Sequence, residues 1–343
     1  MEKILSIIVP TYNMEKYLRR CLDSLIVSDE NMQRLEVLVI NDGSKDSSSQ
    51  IAHEYEAKYP QTFRVIDKEN GNYGSCINRG LKEATGKYVK VLDADDSFDT
   101  DSFEQFLKLL LEIEADLILS DFSIVNENDI ITEHKTYPFV SGKILNFDDI
   151  CASISFKAMQ MHAVTYKRQN LIDIQYRQTE GISYTDQEWI SIPMTTVKTV
   201  YYAKIEVYKY LVGRSGQTMD LRVKIKSVDH TSICVVNRVK EIYKRGIDLN
   251  SPVGEYLTYI LCNSASWVYK CGVLLDSYNL DKLREFDDYI LNNTPLIYNN
   301  LNSLVIHKLL PFAYIRYYRN KRKTANGLIK YLYKLYSSKK ATL

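Results

Sequence analysis

The sequence predicts an α/β protein: a mostly parallel sheet covered by helices, continued by a helical C-terminal region. Three observations carry that expectation. Short apolar runs alternate with amphipathic stretches over the first third of the chain, the pattern of βαβ units. Three of those runs end in the polar clusters "PTYN" (10–13), "NDGS" (41–44) and "DADD" (93–96), as strand ends that face a ligand do. From about residue 222 the strand-like pieces give way to a tyrosine-rich helical pattern.

Taken in order, "ILSIIV" (4–9) reads as a strand stopped by Pro10. Leu18, Cys21, Leu22, Leu25 and Ile26 then share one helical face. "LEVLVI" (35–40) is a second buried strand, closed by its turn residues. A helix around Ile51, Tyr55 and Tyr59, the strand "FRVI" (63–66), a helix near 75–84 and the strand "KYVKVL" (87–92) follow. Asp101 with Glu104 has the look of a capping pair for a helix carrying Phe103, Phe106, Leu107 and Leu110. "DLILS" (116–120) is another strand, and 120–220 is less regular, with strand-like "TVYYAKIEVYKYLV". The carboxyl ends of strands one, two and four are expected to meet along one edge.

Composition narrows the function classes. Of 343 residues, 45% are hydrophobic and 25% charged, ordinary for a water-soluble globular chain. Six cysteines lie scattered without a C-x-x-C pair, which disfavours the usual zinc site, and free thiols in a reducing cytoplasm are expected. The apolar start is too short for a secretory leader, and no run approaches the ~20 apolar residues of a membrane span. The net charge of +1 hides an asymmetry: beyond Asp288 there are ten lysines and arginines and no acid, which points to an anionic surface or partner. No P-loop, no G-x-G-x-x-G after the first strand and no G-x-S-x-G elbow is present.

The chemistry-bearing motif is Asp93-Ala94-Asp95 at a strand end. Clustered carboxylates repel, so a cation or donors must compensate, and hard divalent ions favour such oxygens. Acidic loop tips are common, and alone this one is weak. Around it, however, stand "IIVPTYN" (7–13), "VINDGSKDSS" (39–48), "NGNYGSCINRGL" (70–81) and "GKYVKVLDADD" (86–96), in this order and spacing. Together they resemble the nucleotide-sugar-binding half of family-2 glycosyltransferases with the GT-A fold, over roughly residues 3–220. The fold so implied is a Rossmann-like sheet.

Carried over to this chain, the resemblance implies that Pro10, Thr11 and Tyr12 form one wall of a nucleobase pocket and that Asp42 accepts from the base, as uracil N3–H requires. It places Asn72 by the nucleotide, Ala94 in the same sugar-nucleotide site, Asp93 at the ribose or metal, and Asp95 on a Mn2+ or Mg2+ ion at the diphosphate. Many relatives have Ala-Arg-Asn where Ile77-Asn78-Arg79 stands here, which leaves open which residue meets phosphate. "EGISYTDQEW" (180–189) resembles the segment that ends in Glu-Asp in relatives, with Thr185 replacing the glutamate. Asp186 is then the expected base; taken by itself it reads as a helix N-cap. Arg214 and Gln217 lie on a Gly-bounded loop that in relatives closes over the diphosphate, where arginine suits phosphate; by themselves they read as a solvated turn. His162 reads as a structural histidine.

The resemblance thus implies an inverting, metal-dependent transfer of a sugar, from a UDP-sugar, to a hydroxyl of a glycan or lipid-linked acceptor in surface-polysaccharide synthesis. A nucleotidyltransferase, or a sugar-nucleotide-binding protein without turnover, is the alternative. The expected organisation is a GT-A domain over 1–220 (nucleotide-sugar half 1–120, acceptor half 121–220) and a helical, basic region over 221–343. Apolar and basic residues mingle in "SLVIHKLLPFAYIRYYRNKRK" (303–323) and "GLIKYLYKLYSSKK" (327–340). That composition suits a helix in the headgroup layer of an anionic membrane, hence a cytoplasmic enzyme peripheral to its inner face, with no nucleic-acid partner.

Overall fold

The first strand, β1 (Leu5–Thr11), is buried along its whole length and runs through Pro10 instead of stopping there. Proline is tolerated because of where its missing N–H falls. Ile8 presents its carbonyl to Leu92, so Ile8 and Pro10 face the same neighbour, and the pairing with that neighbour ends at Val91 opposite Ile8. No ladder bond is lost.

The computed structural model describes residues 2–153, 159–214 and 221–341. The chain forms two compact units, Met1–Gln217 and Thr218–Leu343. In the first unit β1 is followed by α1 (Leu18–Asp23), α2 (Asp29–Arg34), β2 (Leu35–Asn41), α3 (Ser48–Lys58), β3 (Phe63–Asp67), α4 (Asn72–Glu83) and β4 (Tyr88–Val91). Then come β5 (Ser97–Phe98), α5 (Thr100–Glu112), β6 (Leu117–Val125), β7 (Ile131–Lys135), β8 (Ile144–Asn146), α6 (Phe147–Ser153), β9 (Val164–Lys167), α7 (Arg168–Asp173), α8 (Asp186–Trp189) and β10 (Thr199–Leu211).

The strands make one sheet in the order β3-β2-β1-β4-β9-β6-β10-β5, with β7 on β6 and β8 on β10. The longest ladders, β1 with β2 and β6 with β10, are parallel, while short antiparallel pairings through β9 join the two halves. With β2, β1 and β4 adjacent and parallel, their carboxyl ends fall on one edge. Helix α4 is held close to that sheet: a Cβ on Gly80 would stand 2.5 Å from the Ile8 side chain, so only glycine fits. Leu18, Cys21, Leu22 and Leu25 are fully buried. The cap of α5 differs from the sequence expectation. Asp99, not the Asp101–Glu104 pair, accepts from Ser102 N at 3.1 Å, and Glu104 instead binds Ser28 and Asn31. An N-cap needs extended backbone, which Asp99 has and Asp101, already inside the helix, lacks. All six cysteines are free and buried.

The second unit is helical: α9 (Leu221–Lys226), α10 (Val228–Lys244), α11 (Pro252–Val273), α12 (Leu280–Asn293), α13 (Pro295–Asn302), α14 (Tyr314–Lys321) and α15 (Gly327–Ala341). Helix α11 is apolar nearly all round and touches α10, α12, α13 and α14, so it is the unit's core. Ser251 caps it, and Pro252 takes the first-turn position where no N–H is needed. The basic stretch 303–323 is not one amphipathic helix: Tyr314, Ile315 and Tyr318 on α14 are buried inside the unit. Arg319 Nε donates to Asp287 at 2.7 Å. Tyr314, Ile315 and Tyr318 are packing residues, while Val305 and Leu309 of the same stretch are exposed. Among the described residues no helix is long and apolar enough to cross a membrane.

Candidate active site

Beyond β1 the chain turns on Asn13, whose φ of 54° is left-handed, and is sewn to the loop after β2. Asn13 N donates to Ser44 Oγ (3.0 Å), Lys45 N to Asn13 Oδ1 (2.8 Å) and Met14 N to Ser48 Oγ (2.8 Å). Pro10 and Thr11 are therefore fixed and buried, with the Thr11 hydroxyl turned back onto Val9 O (3.1 Å), while Tyr12 is exposed on the edge. Asp42 follows β2 and is buried. Its N–H donates to Thr11 O, and its Oδ1 accepts from Lys68 Nζ and from Gly71 N. Lys68 also reaches Ser75 Oγ at 2.9 Å. Asn72, left-handed at φ 64°, opens α4 beside this cluster.

The loop after β4 carries the aspartates. Oxygens of Asp93, Asp95 and Asp96 all lie within 4.8 Å of one another. Their neighbours separate them. Asp96 is buried and committed: Tyr208 Oη donates to it at 2.6 Å and Leu211 N at 2.7 Å, which ties the loop to β10. Asp93 has one side-chain donor, the Tyr73 hydroxyl at 2.9 Å, and its own N–H donates to Tyr208 Oη at 3.1 Å. Asp95 accepts from Arg214 Nε, and its carbonyl accepts from Arg20 at 2.6 Å. Burial and the adjacent charge of Asp95, with that of Asp186, hold the Asp93 carboxyl well above its ordinary range. Ala94, between them, is buried.

Asp186 is the first residue of α8, and Thr185, not Asp186, stands at the N-cap. The segment before it is pinned to α4. Gln178 N donates to Asn78 Oδ1 (2.8 Å) and Asn78 Nδ2 to Gln178 O (2.9 Å). Gly181 N donates to Gly71 O at 2.9 Å, and buried Glu188 accepts from both Thr179 N and Thr179 Oγ1 at 2.7 Å. Gly74 leaves no room for a Cβ, which would stand 2.1 Å from Thr179 O. The result is that Asp186 lies close enough for its charge to act on Tyr73 and Asp93.

The structure thus brings together Asp93, Asp95, Arg214 and Asp186, with Asp42 and Asn72 on the neighbouring loops. Gln217 lies outside the described residues. At the departure from the family pattern, Ile77 is buried, Asn78 is used to pin the loop, and Arg79 is exposed and paired with Glu83 at 3.1 Å. His162 is packed against Tyr210, Tyr208 and Phe122, and burial lowers its pKa to about 3. Two residues were missed by sequence reasoning. Lys90, buried on β4, donates to His162 O at 2.7 Å and burial lowers its pKa to about 7; Tyr208 bridges Asp93 and Asp96. Lys90 stands inside the motif of 86–96 but at a strand position that reads only as part of a buried run, and Tyr208 stands in no motif. A groove of about 550 Å³ along α4 and α7, lined by Arg79, Lys82, Arg168 and Arg177, also reaches Lys68 and Ser75 of the Asp42 cluster but is bounded by none of Asp93, Asp95 and Asp186.

Residues 6–169 match the family model described as glycosyl transferase family 2. The chain is 35% identical over 125 residues to the glycosyltransferase GlyA of Streptococcus pneumoniae, which covers 36% of this chain and 18% of that protein. It is 25% identical over 271 residues to the minor teichoic acid biosynthesis protein GgaB of Bacillus subtilis, covering 76% of this chain and 29% of GgaB. The chain therefore spans less than a third of the length of either relative. In fold it is similar to the crystal structure of S. aureus TarS 1–349 in complex with UDP-GlcNAc, with a TM-score of 0.63, 20% identity, and coverage of 93% of this chain and 88% of that one.

Proposed function

We propose, on the premise that this chain belongs to glycosyltransferase family 2 through residues 6–169, that it moves a sugar from a nucleoside diphosphate donor to an acceptor hydroxyl. The observation that carries the reading is a convergence. Asp186, pinned from one side, and Asp93 with Asp95, from another, share one sheet edge and feel each other's charge. A base and a set of donor-holding carboxylates are the two things a direct displacement needs.

In that reaction the acceptor oxygen forms a bond to the anomeric carbon as the bond to the diphosphate breaks. The bonding pair leaves with the nucleoside diphosphate, and the acceptor proton passes to Asp186. One displacement inverts the anomeric centre. A base of this kind contributes about 10²–10⁴-fold. Pro10, Thr11 and Tyr12 wall the base, and Asp42, oriented by Lys68 and Gly71 N, accepts from a uracil N3–H. Asn72 approaches the nucleotide, and Arg214 and Gln217 serve the diphosphate.

Asp93 and Asp95 fit a Mn2+ or Mg2+ ion, since both offer hard carboxylate oxygens close together and the like charge of Asp95 and Asp186 about Asp93 disfavours its ionised form without a cation. Such an ion would supply Lewis-acid stabilisation of the departing diphosphate. The similarity to GgaB, a minor teichoic acid biosynthesis protein, supports a surface-polymer acceptor, glycan or lipid-linked, and with it a peripheral position at the inner face of the cell membrane.

Two alternatives fare worse. A nucleotidyltransferase needs Gly- and basic-rich sequence after its first strand, and here that loop is "PTYN", committed to Ser44, Lys45 and Ser48. A binding protein without turnover draws on Thr185, but that residue is wholly buried, so its replacement takes nothing from the exposed edge. The test is a screen of nucleotide sugars with Mn2+, scored by nucleoside diphosphate release. Metal-dependent release from one donor is the expected result; tight UDP binding with no release from any donor would favour the binding protein.

A further inference from the structure

We infer that the outer face of α15, with the turn at 305–310, is the surface by which this protein lies on an anionic lipid bilayer; the inference deepens the peripheral-membrane reading above and rests on it. Helix α15 has two apolar faces where a helix at a protein–water boundary needs one. Tyr333 is buried, and Ile329, Leu332 and Tyr336 are half-buried, so this side packs on the unit. Leu328, Tyr331 and Leu335, spaced i, i+3 and i+7, form a second stripe and are 67%, 59% and 45% exposed. The His307 ring lies 4.8 Å from that of Tyr336, which seats the turn beside the helix. From this turn Leu309, 89% exposed, and Val305, 40% exposed, extend the apolar patch.

The charge around the patch selects the occupant. Lys308 and Lys334 are exposed beside these residues, and Lys321 and Lys323 are exposed between the two helices. Two acids of the unit are committed to other cations: Asp287 holds Arg319 and Arg322, and Asp276 holds Lys330. No acidic residue follows Asp288, so the segment 289–343 carries ten basic residues against none. Apolar side chains ringed by uncompensated cations match an interface of acyl chains under anionic headgroups. A second copy of the chain would present the same positive charge and be repelled. Nucleic acid would have no use for the leucines.

The test is flotation of the full chain with vesicles of phosphatidylglycerol and phosphatidylcholine, against pure phosphatidylcholine. Binding to the anionic vesicles only, weakened by salt, is expected. The combined change Leu328→Ser, Tyr331→Ser and Leu335→Ser should lower the partition coefficient about tenfold or more, because three apolar groups leave the bilayer. Lys308→Gln with Lys334→Gln should lower it by about thirtyfold, since each cation near the surface contributes about fivefold. Tyr331→Trp gives a second readout that keeps the face apolar: its emission should shift to the blue on anionic vesicles. Emission that does not move, or a triple variant that floats like the parent, overturns the inference. So does a dimer seen by light scattering that the triple variant abolishes while flotation is unchanged. Donor turnover in solution separates the two readings. A protein that releases nucleoside diphosphate without floating disproves only the surface, and one that floats without using any sugar nucleotide disproves only the transferase.

Discussion

Two aspartates, buried Asp287 in the helical unit and half-buried Asp93 in the first, are treated in opposite ways. Asp287 in the helical unit is saturated: Arg319 Nε at 2.7 Å, Arg322 Nη1 at 3.2 Å and the Tyr269 hydroxyl at 2.6 Å all donate to it. Asp93 on the sheet edge has the Tyr73 hydroxyl and sits among the like charges of Asp95 and Asp186, which with burial disfavour its ionised form. The first arrangement cancels charge and holds helices together. The second leaves charge in excess, which costs stability in the empty protein and suits a site that receives a cation and a diphosphate.

That contrast gives predictions of graded size. The largest loss of stability is expected from Asp287→Ala, which strands the buried Arg319 guanidinium; breaking such a pair costs about 3–5 kcal/mol, read by chemical denaturation of the full chain. A loss below about 1 kcal/mol would mean that the network is not what holds α12 and α14. Next is Asp96→Ala, which leaves Tyr208 Oη and Leu211 N without their acceptor and should cost about 1–3 kcal/mol, although Asp96 stands in the same acidic run as the proposed metal ligands. Gly74→Ala drives a methyl into Thr179 O and should cost a similar about 1–3 kcal/mol. Because Thr179 anchors the segment leading to Asp186, it should also lower kcat more than it weakens donor binding, measured by steady-state kinetics beside calorimetry.

The smallest stability effect is expected at Asp95→Ala, about 1 kcal/mol, since the loss of the largely buried Arg214 pair is offset by the like charge that Asp93 loses. Its functional effect should be the reverse: calorimetry with UDP and Mn2+ should show the metal-dependent part of the affinity gone. Unchanged affinity would remove Asp95 from the metal. Asp95 and Asp96, adjacent in sequence, thus divide into a proposed ligand and a brace.

Some of this was legible in the sequence and some was not, for physical reasons. The buried parallel strands β1, β2 and β4 advertise themselves as short apolar runs, and their polar ends name the edge. Pro10 misleads, because whether a proline ends a strand depends on which neighbour its nitrogen faces, and that is a tertiary fact. Strand β7 is nearly all exposed, and β5 and β8 are two and three residues long, too short for any periodicity. Of the acidic run, Asp93 and Asp95 could be proposed from spacing. The bracing role of Asp96 could not, since its donors stand 112 and 115 residues further along the chain. Asn78 is similar: it binds Gln178, 100 residues on, and only the folded chain shows that it places the loop of Asp186. In the second unit, composition marks 303–323 as amphipathic and basic, but which aromatic residues pack inward is decided by α11.

The central claim, that Asp186 is the base of a transfer carried out at this edge, is tested most directly by Asp186→Asn. With the donor that the nucleotide-sugar screen identifies, the variant should bind UDP with Mn2+ as the parent does, and its kcat should fall by about 10²-fold or more. A variant that keeps the parental kcat and only raises KM would contradict the account, because Asp186 would then bind substrate without taking its proton.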